Sequence, residues 1–278
     1  MIQLREKVGT HEAYFEAYIQ QKNDVVVMSR KRPLMILVPG GGYQKIACNK
    51  TEAVALSFLS QGYQVIVLHY SVAPTRYPES LLELCRTVAW AKTHAEEYWI
   101  DPERICVLGF SAGGHLAASL AVLWNTPYLR ELTGIPAELL RPDRLILGYA
   151  VLTGGEKTHE PSVRNLMGSF DDASREQFSL ESKVTPDTPP CFLWTTVTDA
   201  LVPMENTMLF ASALRKNNVP FELHIFSEGV HGLSRGDKTT AGVNGRGYHP
   251  YCACWLDMAL SWLDRPMPQT HDNGGFDL

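Results

Sequence analysis

The stretch RICVLGFSAGGHLAASLAVLW, residues 104–124, decides the fold. Residues 105–108 (ICVL) are continuously apolar, the pattern of a strand covered on both faces. From Gly113 onward, GHLAASLAVLW reads as a helix rich in alanine and leucine. Between them stands Gly109-Phe110-Ser111-Ala112-Gly113, a strand-to-helix turn with a serine at its apex. In such a turn the glycines let neighbouring backbone crowd in while the serine Oγ is pushed up above the sheet. The five residues alone also fit an ordinary tight turn. A strand before them and a helix after them favour the nucleophile reading. A serine hydroxyl is a poor nucleophile at neutral pH, so a base, an acid that orients the base, and donors for the oxyanion must come from elsewhere in the chain.

Working outward, further short apolar runs lie at 34–38 (LMILV), 65–68 (VIVL), 145–150 (LILGYA), 191–195 (CFLWT) and 221–226 (FELHIF). Two weaker candidates, 13–19 and 24–28, precede them and fit an antiparallel start. Helical segments fill the gaps. Asn49-Lys50-Thr51-Glu52 reads as a capping box for a helix to about Ser60, stopped by Gly62. Pro78 stands at the head of the next helix, and Pro102 falls in the turn beyond it. Pro203 opens a helix through Leu214, and residues 251–263 form the last. Strand and helix alternate, so the expected fold is one α/β domain over residues 1–278. It is a mostly parallel, doubly wound sheet of about eight strands with helices on both faces. Residues 125–143 and 154–190 break the alternation and are read as cap-like insertions. Residues 232–248, rich in glycine, form a loop.

The partners of Ser111 are sought at the carboxyl ends of later strands, where open α/β sheets place their sites, in the order acid then histidine. Asp199 follows the 191–195 strand in the string TDALVP. His231 follows the 221–226 strand in SEGVHGLS. His249 is the main rival, but no strand precedes it directly. His115, on the elbow helix, reads as structural. His159 lies in the second insertion, where substrate contact and solvent exposure are both open. One oxyanion donor is expected from the N–H of Ala112. The others are expected from Gly41 and Gly42, in the PGGGY string directly after the 34–38 strand. A dinucleotide or phosphate cradle is disfavoured there, because no G-K-[ST] continuation or suitably placed acid follows. Tyr43, Phe110, His159 and Val202 flank these motifs and are the expected substrate contacts.

These motifs resemble the α/β-hydrolase superfamily, and most closely its branch of small bacterial esterases that includes acetylxylan-esterase-like and lipase/esterase proteins. The residues that carry the resemblance are VPGGGY (38–43), HYSVAP (69–74), DPERICVLGFSAGGHLA (101–117), RPDRLILGY (141–149), SVRNLMG (162–168), TDALVP (198–203) and FELHIFSEGVHGLS (221–234). The resemblance implies Ser111 as nucleophile, His231 as base, Asp199 as orienter, and Gly41, Gly42 and Ala112 as oxyanion donors. It departs from the pattern twice: Pro39 stands where the related lipase motif has histidine, and Ser71 where many relatives have arginine. It implies a serine esterase for short acyl groups on polar alcohols such as acetylated xylo-oligosaccharides. An amide-cleaving hydrolase with the same triad and a non-catalytic binding protein on the fold are the alternatives.

Composition narrows the partners. The 278 residues are 45% hydrophobic and 20% charged, with a formal net charge of −5, so no basic surface recommends nucleic acid or an anionic membrane. No apolar run approaches the ~20 residues of a membrane span. The N-terminus has no apolar run behind a basic start, so no signal peptide of the usual kind is expected. The six cysteines form no C-x-x-C pair and read as reduced thiols of a cytoplasmic protein. The expected partner is a small-molecule ester, with no metal and no cofactor. If the chain assembles, a homodimer is the expected form.

Overall fold

The computed structural model describes residues 1–22 and 31–266. Its strands are β1 (Ile2–Lys7), β2 (Tyr14–Ile19), β3 (Arg32–Val38), β4 (Gln64–His69), β5 (Ile100–Phe110), β6 (Arg144–Gly148), β7 (Cys191–Thr196) and β8 (Phe221–Phe226). They form one sheet in the order β1-β2-β4-β3-β5-β6-β7-β8. β1/β2 and β2/β4 pair antiparallel, and every other neighbour is parallel. Between the strands run α1 (Thr51–Ser60), α2 (Glu79–Thr93), α3 (Ala112–Leu123), α4 (Pro127–Thr133), α5 (Ala137–Leu140), α6 (Glu160–Met167), α7 (Asp172–Phe178), α8 (Glu205–Lys216), α9 (Pro250–Ala253) and α10 (Trp255–Leu263).

The apolar runs are continuous because each central strand feeds two cores. In β3, Leu34, Ile36 and Val38 pack with residues of α2, α3 and α8. Met35 and Leu37, pointing the other way, pack with residues of α1 and α10. Every residue of β7 is buried. At the edge this logic fails. β1 reads IQLREK and is largely exposed, so hydrophobicity gives no sign of it. Its neighbour β2, which alternates half-buried and buried positions, tethers it. The strand expected at 24–28 lies outside the described residues.

Three local expectations change. The capping box does not form: a 3₁₀ turn at Cys48–Lys50 precedes α1, whose N-cap is Lys50 with no side-chain cap bond. Thr51 Oγ instead donates back to Ala47 O. Pro102 lies within β5, which begins earlier than its apolar run and shifts register against β3 there. The last helix is broken at Cys254 into α9 and α10. All six cysteines are unpaired. Among the described residues no helix is long and apolar enough to cross a membrane.

What positions the site is the strand order. The chain runs outward from β3 to β4, then crosses back to place β5 on the other side of β3. Loops leaving β3 and β5 therefore diverge, and open a crevice at the carboxyl ends of these adjacent strands. Val38 and Gly109 are paired across it.

Candidate active site

Ser111 sits at the end of β5 with φ of 55° and ψ of −124°, a conformation that non-glycine residues rarely adopt. The surroundings hold it there. Its N–H donates to Gly148 O at 3.1 Å, and its carbonyl accepts from His115 N and Val151 N. The flanking glycines are a steric requirement. A Cβ on Gly109 would stand 2.3 Å from Gly113 O, and one on Gly113 would stand 2.2 Å from Val38 O. The helix α3 starts at the next residue, so its N-terminal dipole faces the serine.

The structure brings His231 and Asp199 to this serine. His231 Nε2 lies 2.8 Å from Ser111 Oγ, and His231 Nδ1 lies 2.7 Å from Asp199 Oδ2. A carboxylate can only accept, so the Nδ1 proton lies toward Asp199 and Nε2 is left to accept from the serine hydroxyl. Asp199 is 5% exposed. Its Oδ1 accepts from the N–H groups of Leu201 and Val202 at 2.9 and 3.0 Å. Val202, expected to touch substrate, is therefore a buried support of the acid and does not line the cavity. His249, the rival base, is instead the N-cap of α9, and its N–H donates to Gly236 O.

The loop after β3 turns at Gly41 (φ +138°), Gly42 (+65°) and Tyr43 (+56°). A Cβ on Gly41 would stand 1.9 Å from Lys45 O, which leaves no alternative to glycine there. Among the described residues, the N–H groups of Gly41, Gly42 and Ala112 donate to no protein acceptor. Gly41 and Gly42 line the same cavity as Ser111. Tyr43, a second expected substrate contact, is buried and points away from the cavity. Its OH donates to His115 Nδ1 at 2.8 Å, and His115 Nε2 donates to Phe178 O at 2.9 Å. This pairing pins the glycine loop to α3. Complete burial pushes the His115 imidazole down to about 3, so it stays neutral.

The cavity above Ser111 measures about 380 Å³. Phe110 and His159 lie on its wall, as expected of substrate contacts. His159 is half-buried, and its Nδ1 is held by Ser162 Oγ at 2.8 Å. Burial and the nearby His231 push its pKa down. The insertion at 154–190 supplies His159, Pro161 and Asn165 to this wall. The insertion at 125–143 supplies none. Its α5 lies beside α2, where Lys92 donates to Glu138 O.

Several supports were not among the expected site residues. Thr196 and Thr198 hydroxyls both donate to Gly229 O, tying the strand before Asp199 to the loop before His231. Tyr149 accepts from Ser234 N through its OH, and its ring stands 5.1 Å from that of His231. Asn165 Nδ2 donates to Gly42 O. Ser71 lies away from the cavity and donates to buried Glu83 through both N–H and Oγ. The sequence signal for Ser71, Tyr149, Asn165 and Thr198 was their place in the strings that carry the family resemblance. Among the described residues, no group of three or more histidine, cysteine or acidic side chains is placed to hold a metal.

Comparison with known proteins comes down on one kind of fold. The prolyl oligopeptidase family model matches residues 86–244, more than half of the chain, and the BD-FAE model matches residues 24–135. The chain is 38% identical over 229 residues to endo-1,4-beta-xylanase B of Butyrivibrio fibrisolvens, covering 78% of this chain and 35% of that protein. It is 28% identical over 206 residues to the acetylxylan esterase of Xylanibacter ruminicola, covering 72% of this chain and 40% of that protein. It thus spans well under two thirds of these curated relatives. Among solved structures it resembles an acetyl ester-xyloside bifunctional hydrolase from Caldicellulosiruptor lactoaceticus. The TM-score is 0.78 and the identity 33%, over 93% of this chain and 94% of that one.

Proposed function

This chain belongs to the α/β-hydrolase superfamily, and from that premise we propose that it is a serine carboxylic ester hydrolase. Its substrates are short acyl esters, acetyl above all, of polar alcohols such as acetylated xylo-oligosaccharides. The observation that carries the reading is the unbroken row Asp199–His231–Ser111 at hydrogen-bond distance, facing a cavity with free amides.

The reaction follows from that row. Ser111 Oγ attacks the ester carbonyl carbon as His231 Nε2 takes its proton. The carbonyl π pair moves onto oxygen, where the amides of Gly41, Gly42 and Ala112 receive the charge. Asp199 stabilises the imidazolium and keeps its ring oriented. When the tetrahedral centre collapses, the C–O bond to the alcohol breaks and His231 gives its proton to the leaving oxygen. Water then attacks the acyl-enzyme with His231 again as base, releasing the acid and Ser111. A cavity of about 380 Å³ that is walled in part by His159, Lys45 and Asn165 favours a small acyl group and a polar alcohol. The printed names of two relatives, an acetylxylan esterase and an acetyl ester-xyloside hydrolase, support the same substrate class.

The test is a chain-length series of p-nitrophenyl esters with wild type and Ser111→Ala. Acetate is expected to be preferred, and the variant to lose ~10⁴-fold or more in kcat. A variant turning over at near the wild-type rate would remove Ser111 from the mechanism. The prolyl oligopeptidase match favours a second reading, amide cleavage by the same row. Faster turnover of an aminoacyl anilide than of the acetate ester would establish it.

A further inference from the structure

The wall of the catalytic cavity has an unbalanced charge. Lys45 and Lys50 line it, and no aspartate or glutamate does. This occurs in a chain whose net charge is −5. Lys50 is half-buried, and its Nζ donates to Gly232 O at 2.8 Å, the residue after His231. One of three ammonium donors is thereby used, and two remain. Burial pushes the Lys50 pKa down, and the charge of Arg246 opposes that of Lys50 and adds to the shift. A side chain built on Gly247 would reach within 3.6 Å of Lys50 Nζ.

Three acids close in sequence to the cavity-lining residues are paired with other groups. Glu160 is paired with Arg164 at 2.7 Å, Asp237 with Arg235 at 2.9 Å, and Asp199 with His231. Among the described residues, Lys45, Lys50 and Arg246 pair with no acid. Lys50 is part-buried, while Lys45 and Arg246 are exposed; like charges gathered at one rim raise the local potential and are relieved by an arriving anion. The position of Lys50 also says which half of the substrate carries that anion. His231 must hand its proton to the leaving oxygen, so the alcohol half lies against His231 and Gly232. Lys50 reaches the same place.

We propose that Lys45, Lys50 and Arg246 form an anion subsite that selects esters whose alcohol half carries a carboxylate, the chemistry of an acidic sugar. The inference rests on the esterase reading and adds the charge of the substrate to it.

The test compares para-acetoxybenzoate with para-acetoxybenzamide, two acetate esters of like shape that differ in one charge on the alcohol half. The readout is the ratio of kcat/KM on the two probes, which cancels effects on the chemical step common to both. Lys45→Gln/Arg246→Gln is expected to lower the carboxylate:carboxamide ratio about tenfold, and Lys50→Gln about fivefold. In wild type the ratio is expected to collapse between about 0.01 M and about 1 M salt, as the Debye length shrinks from ~30 to ~3 Å. Equal losses on both probes in every variant, or a salt-independent ratio, would overturn the subsite and leave the esterase reading standing. Hydrolysis of neither probe beyond the Ser111→Ala background would overturn both.

Discussion

Two cavities lie at opposite ends of the strands, and the larger is not the candidate active site. The one at the amino ends measures about 680 Å³ against about 380 Å³ above Ser111. It is lined by charged groups including Arg104, Asp143 and Arg144, with Cys106 among them. Each of those charges already has fixed work. Arg104 is bound to Asp101 and to Lys31 O. Asp143 Oδ2 accepts from Ile105 N at 2.9 Å. Arg144 donates to the carbonyls of Trp262, Leu263 and Arg265, which close the C-terminus of α10. At the carboxyl ends the buried polar groups converge on the part-buried hydroxyl of Ser111 and leave amides unspent. The distinction between the two ends is therefore satisfaction of polar groups. Volume does not separate them.

Equivalent substitutions at the two ends should have opposite effects on activity and stability. Asp199→Asn keeps the shape of the buried acid but takes away the acceptor that fixes the His231 tautomer. Steady-state kinetics on p-nitrophenyl acetate should show kcat reduced ~10³-fold, with the fold retained by circular dichroism. A kcat within a few-fold of wild type would place the orienting acid elsewhere. At the other end, Arg144→Met removes the cation that holds three helix-terminal carbonyls. Denaturant unfolding should show a loss of about 2–4 kcal/mol while kcat stays at the wild-type value. A drop in kcat without a loss of stability would make the amino-end cavity functional.

The smallest effect concerns pH. Burial raises the Asp143 carboxyl above its ordinary range in the folded protein. The folded state therefore binds its proton more tightly than the unfolded chain does. The stability this group contributes is full at pH below the unfolded carboxylate value, and is lost as pH rises through the raised one. Asp143→Asn keeps an acceptor for Ile105 N and deletes that titration. The difference in melting temperature between variant and wild type should grow in the variant's favour from acid to neutral pH. An unchanged difference across that range would show that Asp143 carries no such linkage.

Legibility in the sequence followed burial. The strands of the parallel centre were visible because both faces are covered, which leaves runs such as CFLWT without a polar break. β1 was invisible because an edge strand with Arg5, Glu6 and Lys7 has no buried face to advertise. The capping box at Asn49 had the right letters, but a 3₁₀ turn took the residues that would have formed it. Ser111, Asp199 and His231 could be located by strand ends and chain order. The identity of the wall could not, because Tyr43 and Val202 differ from Phe110 only in which way the folded chain turns them.

By itself, then, the sequence determined what is written into local rules. These are the alternation of strand and helix, the glycine-flanked serine, and the order of acid and histidine along the chain. Those features depend on backbone sterics and hydrophobic periodicity, which act over a few residues. Tertiary structure alone decided the distances of 2.7 and 2.8 Å between residues 32 and 120 positions apart. It alone turned Tyr43 toward His115, and gathered Lys45 and Lys50 into one wall without an acid. Contacts of that range are set by how two packed cores seat the loops above the sheet, and no stretch of the chain carries that information alone.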